Sequence, residues 1–127
     1  MTSRVTTAAE VLAFISQTYS VELEKDGIAT LKFDLGNGRT QLVWVGVAGE
    51  HTLVATSPFA KKSDISAEKA FSVSKVHKPV VTVGDYYAHS SAFPLKNLQP
   101  EEVLHVIEFV TDAADESEKE LGLGDAL

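Results

Sequence analysis

Apolar positions near the end of the chain recur at about 100° per residue, the period of an α-helix, from Pro100 to about Leu121. The apolar side chains fall on one broad face and the charged ones on the other, as in a helix that lies on a sheet or on another helix. We expect Val103, Ile107, Val110 and Ala114 to be buried, and Glu108, Asp112 and Lys119 to be exposed. Gly122 followed by Leu123 predicts a Schellman-type helix end.

Two shorter helices are predicted earlier in the chain. Thr7 and Glu10 have the spacing of a capping box, and residues 8–18 behind Thr7 are amphipathic. Ser66 is placed to cap a second, short helix that contains Ala67, Ala70 and Phe71. The alternation of residues 71–74 also suits a strand, although we favour the helix.

Between the helices, apolar and polar residues alternate with the period of two that is typical of β-strands. The predicted strands are residues 21–24, 29–35, 41–48, 52–56, 80–83 and 86–93. The turns between them are predicted at Asp26-Gly27, Gly36-Asn37-Gly38, Gly49-Glu50 and Gly84-Asp85. The first four strands follow one another as an antiparallel meander, which we expect to end at Ser57-Pro58.

This order of elements predicts the α+β class, because the helices are separate from an antiparallel sheet. The sheet consists of a four-strand meander plus a second hairpin, with an N-terminal and a long C-terminal helix, in a single domain of residues 1–127. The two amphipathic helices are the available covers for one face of the sheet. Residues 42–47 are apolar on both faces, which predicts a central strand or a strand with one face against a partner.

The composition excludes several classes of protein. The chain has 127 residues, 44% of them hydrophobic, which suits one domain with its own core. It contains no cysteine, which excludes disulfides and thiolate metal ligands and mildly favours a cytoplasmic location. No apolar run approaches the roughly 18 residues that a membrane-spanning helix needs, so we expect no membrane insertion.

The net charge of −7 is unevenly distributed along the chain. Residues 99–127 hold nine acids and only Lys119, a sum of −8, so residues 1–98 sum to +1. An acidic protein with so few clustered bases is a poor nucleic-acid binder. The bases of residues 61–78 either steer an acidic partner or neutralise the acidic helix within a dimer; they are Lys61, Lys62, Lys69, Lys75 and Lys78.

The sequence contains no recognisable catalytic, cofactor-binding or metal-binding motif. The four histidines, His51, His77, His89 and His105, lack the spacing of a zinc site, which needs at least three convergent ligands. The glycine-containing turns do not match phosphate-binding loops, and Ser90-Ser91 lacks the context of a nucleophile elbow. We therefore assign no catalytic, cofactor or metal residues, and we expect that the protein is not an enzyme.

Trp44, Tyr86 and Tyr87 are expected in the core or in cross-strand pairs rather than around a pocket.

A longer motif runs through the last part of the chain. It extends from Pro79-Val80-Val81 through Tyr86-Tyr87-Ala88 and Phe93-Pro94-Leu95 to Pro100-Glu101-Glu102-Val103, and ends at Ala113-Ala114-Asp115. In this motif and in its order of elements, the chain resembles the YbjN family of bacterial proteins, whose fold is like that of type III secretion chaperones.

The resemblance implies a small cytoplasmic α+β domain, often dimeric, that holds another polypeptide and performs no catalysis. Chaperones of this type bind an extended client through apolar patches and sheet edges. We therefore expect a non-enzymatic protein-binding module, chaperone-like or regulatory. The alternative is a small-ligand sensor with its pocket between the C-terminal helix and the sheet.

We also expect a homodimer, both from the resemblance and from the two-sided apolar character of residues 42–47. The residues expected at the dimer or partner interface are Trp44, Phe71, Val73, Val76, Val80 and Val81.

Overall fold

Six strands form one antiparallel sheet in the computed structural model, which describes residues 6–36 and 38–123. The strands are β1 (Val21–Lys25), β2 (Ile28–Gly36), β3 (Arg39–Ala48), β4 (Thr52–Lys61), β5 (Val80–Val83) and β6 (Tyr86–Pro94). The helices are α1 (Ala8–Thr18), α2 (Ala67–Phe71) and α3 (Pro100–Glu120). This is the α+β architecture that the sequence predicts. Asn37, the centre of the predicted Gly36-Asn37-Gly38 turn, lies outside the described residues.

The spatial order of the strands is β1-β2-β3-β4-β6-β5, so β6 pairs with β4 on one side and with β5 on the other. The expected end of the meander at Ser57-Pro58 is wrong, because β4 continues to Lys61. The register against β6 shifts between Pro58 and Ala60, at the kind of position where prolines occur in strands.

Local hydrogen bonds fix the ends of the helices. The Thr7 hydroxyl accepts from the Glu10 N–H at 3.2 Å, and the Ser66 hydroxyl accepts from the Lys69 N–H at 3.1 Å, which makes residues 67–71 a helix rather than a strand. At the end of α3, Gly122 has a positive φ of 69°, and the Leu123 N–H donates to the Glu118 carbonyl at 2.8 Å. This is the predicted Schellman motif.

Helices α1 and α3 cover the same face of the sheet. The core between them includes Val11 and Ile15 of α1, alternate residues of β2, β3 and β4, and the apolar face of α3. Val103, Ile107, Val110 and Ala114 are buried, whereas Glu108, Asp112 and Lys119 are exposed, which confirms the prediction for α3. The hydrophobic periodicity does not predict that Ser117 and Glu118, near the end of the helix, are also fully buried.

The other face of the sheet, called the open face here, has no helix over it within the described residues. Its apolar side chains remain partly accessible and include Ile28, Leu42, Trp44, Val54, Val81, Val83 and Tyr86. Strand β3 is therefore both central and uncovered on one face, which accounts for its apolar character on both faces. A Cβ at Gly46 would lie 3.2 Å from Ile28 Cγ1, so the absence of a side chain lets the β1–β2 turn pack closely on β3.

Candidate polypeptide-binding site

The polar side chains with the most unusual surroundings connect elements of the fold to one another. His89 is fully buried, and its ring stacks on Phe59 with centroids 5.1 Å apart. Its Nδ1 lies 3.0 Å from the Pro79 carbonyl, which only accepts, so Nδ1 carries the proton. Nε2 therefore accepts from the Ser117 hydroxyl at 2.7 Å, and His89 ties β6 to α3. Burial lowers the pKa of His89 and keeps the ring neutral.

A partly buried group of ion pairs ties the other side of α3 to the sheet. Arg39 Nη2 lies 2.8 Å from an Asp115 carboxylate oxygen and 3.0 Å from an oxygen of Glu118, which is fully buried. Burial raises the pKa of Asp115, but hydrogen bonds from Lys119 and Arg39 outweigh it and hold the pKa below its usual value. The helical pattern alone could not reveal this role, because Arg39 is 79 residues from Glu118 in sequence.

The other three histidines of the chain lie at the surface. His51, His77 and His105 are exposed and lie in different elements or loops. Within residues 6–36 and 38–123, no group of three or more His, Asp or Glu residues is placed to hold a metal ion. Likewise, none of the helices in the described part of the chain is long and apolar enough to cross a membrane.

Half of β6 has a free edge. Strand β5 begins at Val80, opposite His89, so in the described chain no strand pairs with the outer side of residues 90–94. The Leu95 N–H donates to the His51 carbonyl, on the β4 side, at 2.8 Å. The N–H and C=O groups of successive residues point to opposite sides of a strand. Those of the odd-numbered residues of β6 therefore point toward β4, and those of Ser90, Ala92 and Pro94 point outward. This edge offers the N–H of Ala92 and the carbonyls of Ser90, Ala92 and Pro94, because proline has no N–H and the register of β5 places the Pro79 carbonyl opposite the Ser90 N–H.

A groove of about 430 Å³ lies between this free edge and α3. Its lining residues are His77, Pro79, Ser90, Ser91, Phe93, His105, Val106 and Phe109. Phe93 and Phe109 are each 39% exposed, although the periodicity places Phe109 on the apolar face of the helix. We call the groove and the free backbone of residues 90–94 the edge groove.

The first half of α3 is acidic, and two of its acids, Glu108 and Asp112, line a cavity beside Tyr19 and Phe33. Between Pro100 and Asp112 the helix carries Glu101, Glu102, Glu108 and Asp112 and no lysine or arginine. Burial and then the charges of Glu108, Asp115 and Glu116 raise the pKa of Asp112, as expected where acids crowd together.

Two of the lysines in residues 61–78 form ion pairs with acids of α3 within the same chain. Lys75 lies 3.7 Å from Glu120 and Lys78 lies 3.4 Å from Glu116, measured between the charged atoms. These two lysines therefore neutralise the second half of α3 without any help from a dimer.

A cavity of about 650 Å³ lies on the open face rather than between helix and sheet. It runs from the β1–β2 turn to the β5–β6 turn, and its centre is an edge-to-face pair of Trp44 and Tyr86 with ring centroids 5.5 Å apart. On the covered face, a cavity of about 280 Å³ lies between Tyr19, Phe33 and α3.

The expected interface residues do not form one surface. Trp44 and Val81 lie on the open face, Phe71 is 43% exposed with its ring edge-to-face against Tyr87, and Val76 is fully exposed. Val73 and Val80 are buried with Phe59, Ala70 and Ala114 in a second cluster of the core. Contacts within the chain therefore occupy two of the six residues.

No protein-family model matches the sequence, and no curated protein is significantly similar to it. The resemblance to the YbjN family therefore stays an expectation.

Proposed function

We propose that this protein binds an extended segment of another polypeptide, which adds to β6 at residues 90–94. The observation that carries the proposal is the free outer edge of β6 beside a groove with two exposed phenyl rings. An added strand gains backbone hydrogen bonds from the edge, and its alternate side chains enter apolar pockets.

The length of the free edge sets the length of the bound polypeptide segment. Residues 90–94 match an added strand of about five residues, or roughly 17 Å at about 3.4 Å per residue. Side chains on one face of this strand contact Phe93 and Phe109, and those on the other face point toward the open side of the sheet.

The test starts with peptides selected on the full chain from an unbiased displayed library. N-methylation of the peptide amides that face β6 should abolish binding, while methylation of the intervening amides should leave it intact. Phe109→Ala and Phe93→Ala should weaken binding by about tenfold, whereas Phe71→Ala, which removes an exposed ring outside the groove, should not. Binding that tolerates methylation at every amide would overturn the proposal.

The second candidate is the small-ligand sensor. The observation that favours it is the convergence of His77, Ser90, Ser91 and His105 around a cavity within the usual range of ligand sites, about 300–1,000 Å³. Hydrogen exchange separates the two functions. A peptide should protect the backbone amide of Ala92, whereas a small metabolite should perturb the cavity lining without protecting that amide.

We also infer that the protein acts as a cytoplasmic homodimer. The family resemblance supports this inference, as do the apolar side chains that remain accessible at Trp44, Phe71, Val76 and Val81.

A further inference from the structure

We propose that the open face of the sheet carries a second binding site, which takes a small organic anion with an aromatic body. The site consists of the cavity of about 650 Å³ around Trp44 and Tyr86, called the aromatic cavity here, and a smaller cavity of about 360 Å³ beside it. We call the smaller one the lysine cavity, because Lys61 and Lys62 line it. Neither cavity shares a lining residue with the edge groove, so the two binding sites can be tested separately.

The aromatic cavity suits a planar apolar group. Its centre is the edge-to-face pair of Trp44 and Tyr86, and its walls include Ile28, Val54 and Val83. Ile28 is 47% exposed and Val83 is 39% exposed, so an occupant would remove apolar surface from water. A ring seated there also adds aromatic contacts to the existing pair. The volume lies within the usual range of ligand sites, about 300–1,000 Å³.

The lysine cavity adjoins the aromatic cavity at the β5–β6 turn, because Asp85 and Tyr86 line both. Lys61 is directly opposite Tyr86 in the register of β4 and β6, so the two side chains share one face of the sheet with Cβ atoms about 4.5–5.5 Å apart. The Lys62 N–H donates to the Asp85 carbonyl at 2.8 Å, which holds Lys62 against the same turn. One molecule that fills the aromatic cavity can therefore extend past Tyr86 to two ammonium groups.

The two lysines have no acidic partner of their own. The ion pairs within residues 6–36 and 38–123 use other bases, namely Arg39, Lys75, Lys78 and Lys119. The ammonium groups of Lys61 and Lys62 are therefore available to a carboxylate or a phosphate, and the Tyr86 hydroxyl is a further hydrogen-bond donor on the same path.

The acids that line the two cavities do not cancel these positive charges. At the β1–β2 turn, Asp26 is balanced by Lys25, and at the β5–β6 turn Asp85 stands alone against the two lysines. Asp64, the next acid after them in the chain, lines neither cavity. The lining as a whole has three bases and two acids, a sum of +1, in a chain whose net charge is −7. The basic end lies at the β5–β6 turn, so the anionic group of the ligand belongs there.

The experiment compares four probes with the same ring system: naphthoate, naphthyl phosphate, naphthamide and naphthylmethylammonium. Each is titrated into the full chain at about 0.1 M salt, where charges more than about 10 Å away are largely screened. The indole N–H of Trp44 reports binding without ambiguity, because the chain contains one tryptophan. At least one of the two anions should bind about tenfold more tightly than naphthamide, and the ammonium probe should bind most weakly. The tighter anion identifies the anionic group as carboxylate or phosphate, and equal affinities would show that the charge alone is recognised.

Variants locate the charge selectivity. Combining Lys61→Gln with Lys62→Gln should remove most of the preference for the anions and leave the affinity for naphthamide unchanged. Combining Lys69→Gln with Lys96→Gln is the matched control, because it removes the same charge from exposed residues that line neither cavity. An equal loss of preference in the control pair would contradict the assignment of the anion to the lysine cavity.

The aromatic part of the site is tested by Tyr86→Ala, which should weaken both the anions and naphthamide by about tenfold. Phe71→Ala removes an exposed ring outside the two cavities and should leave both affinities unchanged. The proposal is overturned if naphthamide binds as tightly as both anions, if the ammonium probe binds most tightly, or if no probe shifts the Trp44 resonance at millimolar concentration. None of these results bears on polypeptide binding at the edge groove.

Discussion

At the residue scale, the most consequential side chains of this protein are polar groups buried at the junction of α3 and the sheet. His89 and Ser117 form one link and Arg39 with Glu118 forms another. Each is satisfied by a partner that is far away in sequence, and leaving a buried polar group without its partner costs about 1–3 kcal/mol, more for a charge. These links fix the position of α3 over the sheet, and with it one wall of the edge groove.

His89 should make the free energy of unfolding depend on pH. Burial, which is the main cause, and the charge of Lys78 lower its pKa in the native state, whereas the Pro79 carbonyl, Glu116 and Glu120 act in the opposite direction. Below pH about 6.5 the unfolded chain binds the proton more readily than the native one, so stability is present above that pH and is lost as the pH falls.

Urea denaturation between about pH 5 and 7.5 tests this prediction. His89→Gln should make the free energy of unfolding less dependent on pH across this window. His105→Gln, which removes an exposed histidine, should leave that dependence unchanged. An unaltered wild-type profile in the His89→Gln variant would show that other groups cause the dependence.

At the element scale, the exposure of a strand edge and of a helix face depends on the neighbouring elements. Strand β6 has nine residues and β5 only four, so the pairing ends at His89 and leaves the rest of β6 free. Free strand edges of this kind tend to pair with another chain unless they are blocked. Pro94 removes one donor from this edge, which limits it to a short segment.

Helix α3 should be held mainly by its buried face. Ile107 is 1% exposed, so Ile107→Ala should lower the free energy of unfolding by roughly 2–5 kcal/mol. Phe109→Ala, two residues away on the groove side, is the control and should cost about 1 kcal/mol or less. Chemical denaturation measures both, and a small loss for Ile107→Ala would contradict the packing of α3 on the sheet.

At the scale of the whole molecule, the two faces of the sheet differ. One face is closed by α1 and α3 over an apolar core, and the other is accessible, with Trp44 and Tyr86 at its centre. The charge is divided as well, because the first half of α3 is acidic, while Lys75 and Lys78 pair with its second half. The edge groove and the open face are therefore two surfaces available to partners.

The proposed homodimer should give a sedimentation mass of about twice the 13.7 kDa chain at micromolar concentration. Val76→Asp places a charge on the most exposed apolar side chain and should shift the equilibrium toward monomer. The exposed substitution Glu24→Gln serves as the control. A monomer at high micromolar concentration for the unsubstituted chain would contradict the dimer.

Within residues 6–36 and 38–123, the sequence by itself determined the nine helices and strands, because their patterns depend on neighbours only a few residues away. The Thr7 and Ser66 caps and the Gly122 helix end are of this kind, and only the extension of β4 through the bulge at Pro58 was missed. The sequence could not determine that β6 lies beside β4 with half of its other edge free, that Glu118 is buried against Arg39, or that Lys78 pairs with Glu116. Those outcomes depend on which distant segments meet, and periodicity and local hydrogen bonding carry no information about such contacts. The candidate site consists of long-range contacts of this kind, so it became visible only in the tertiary structure.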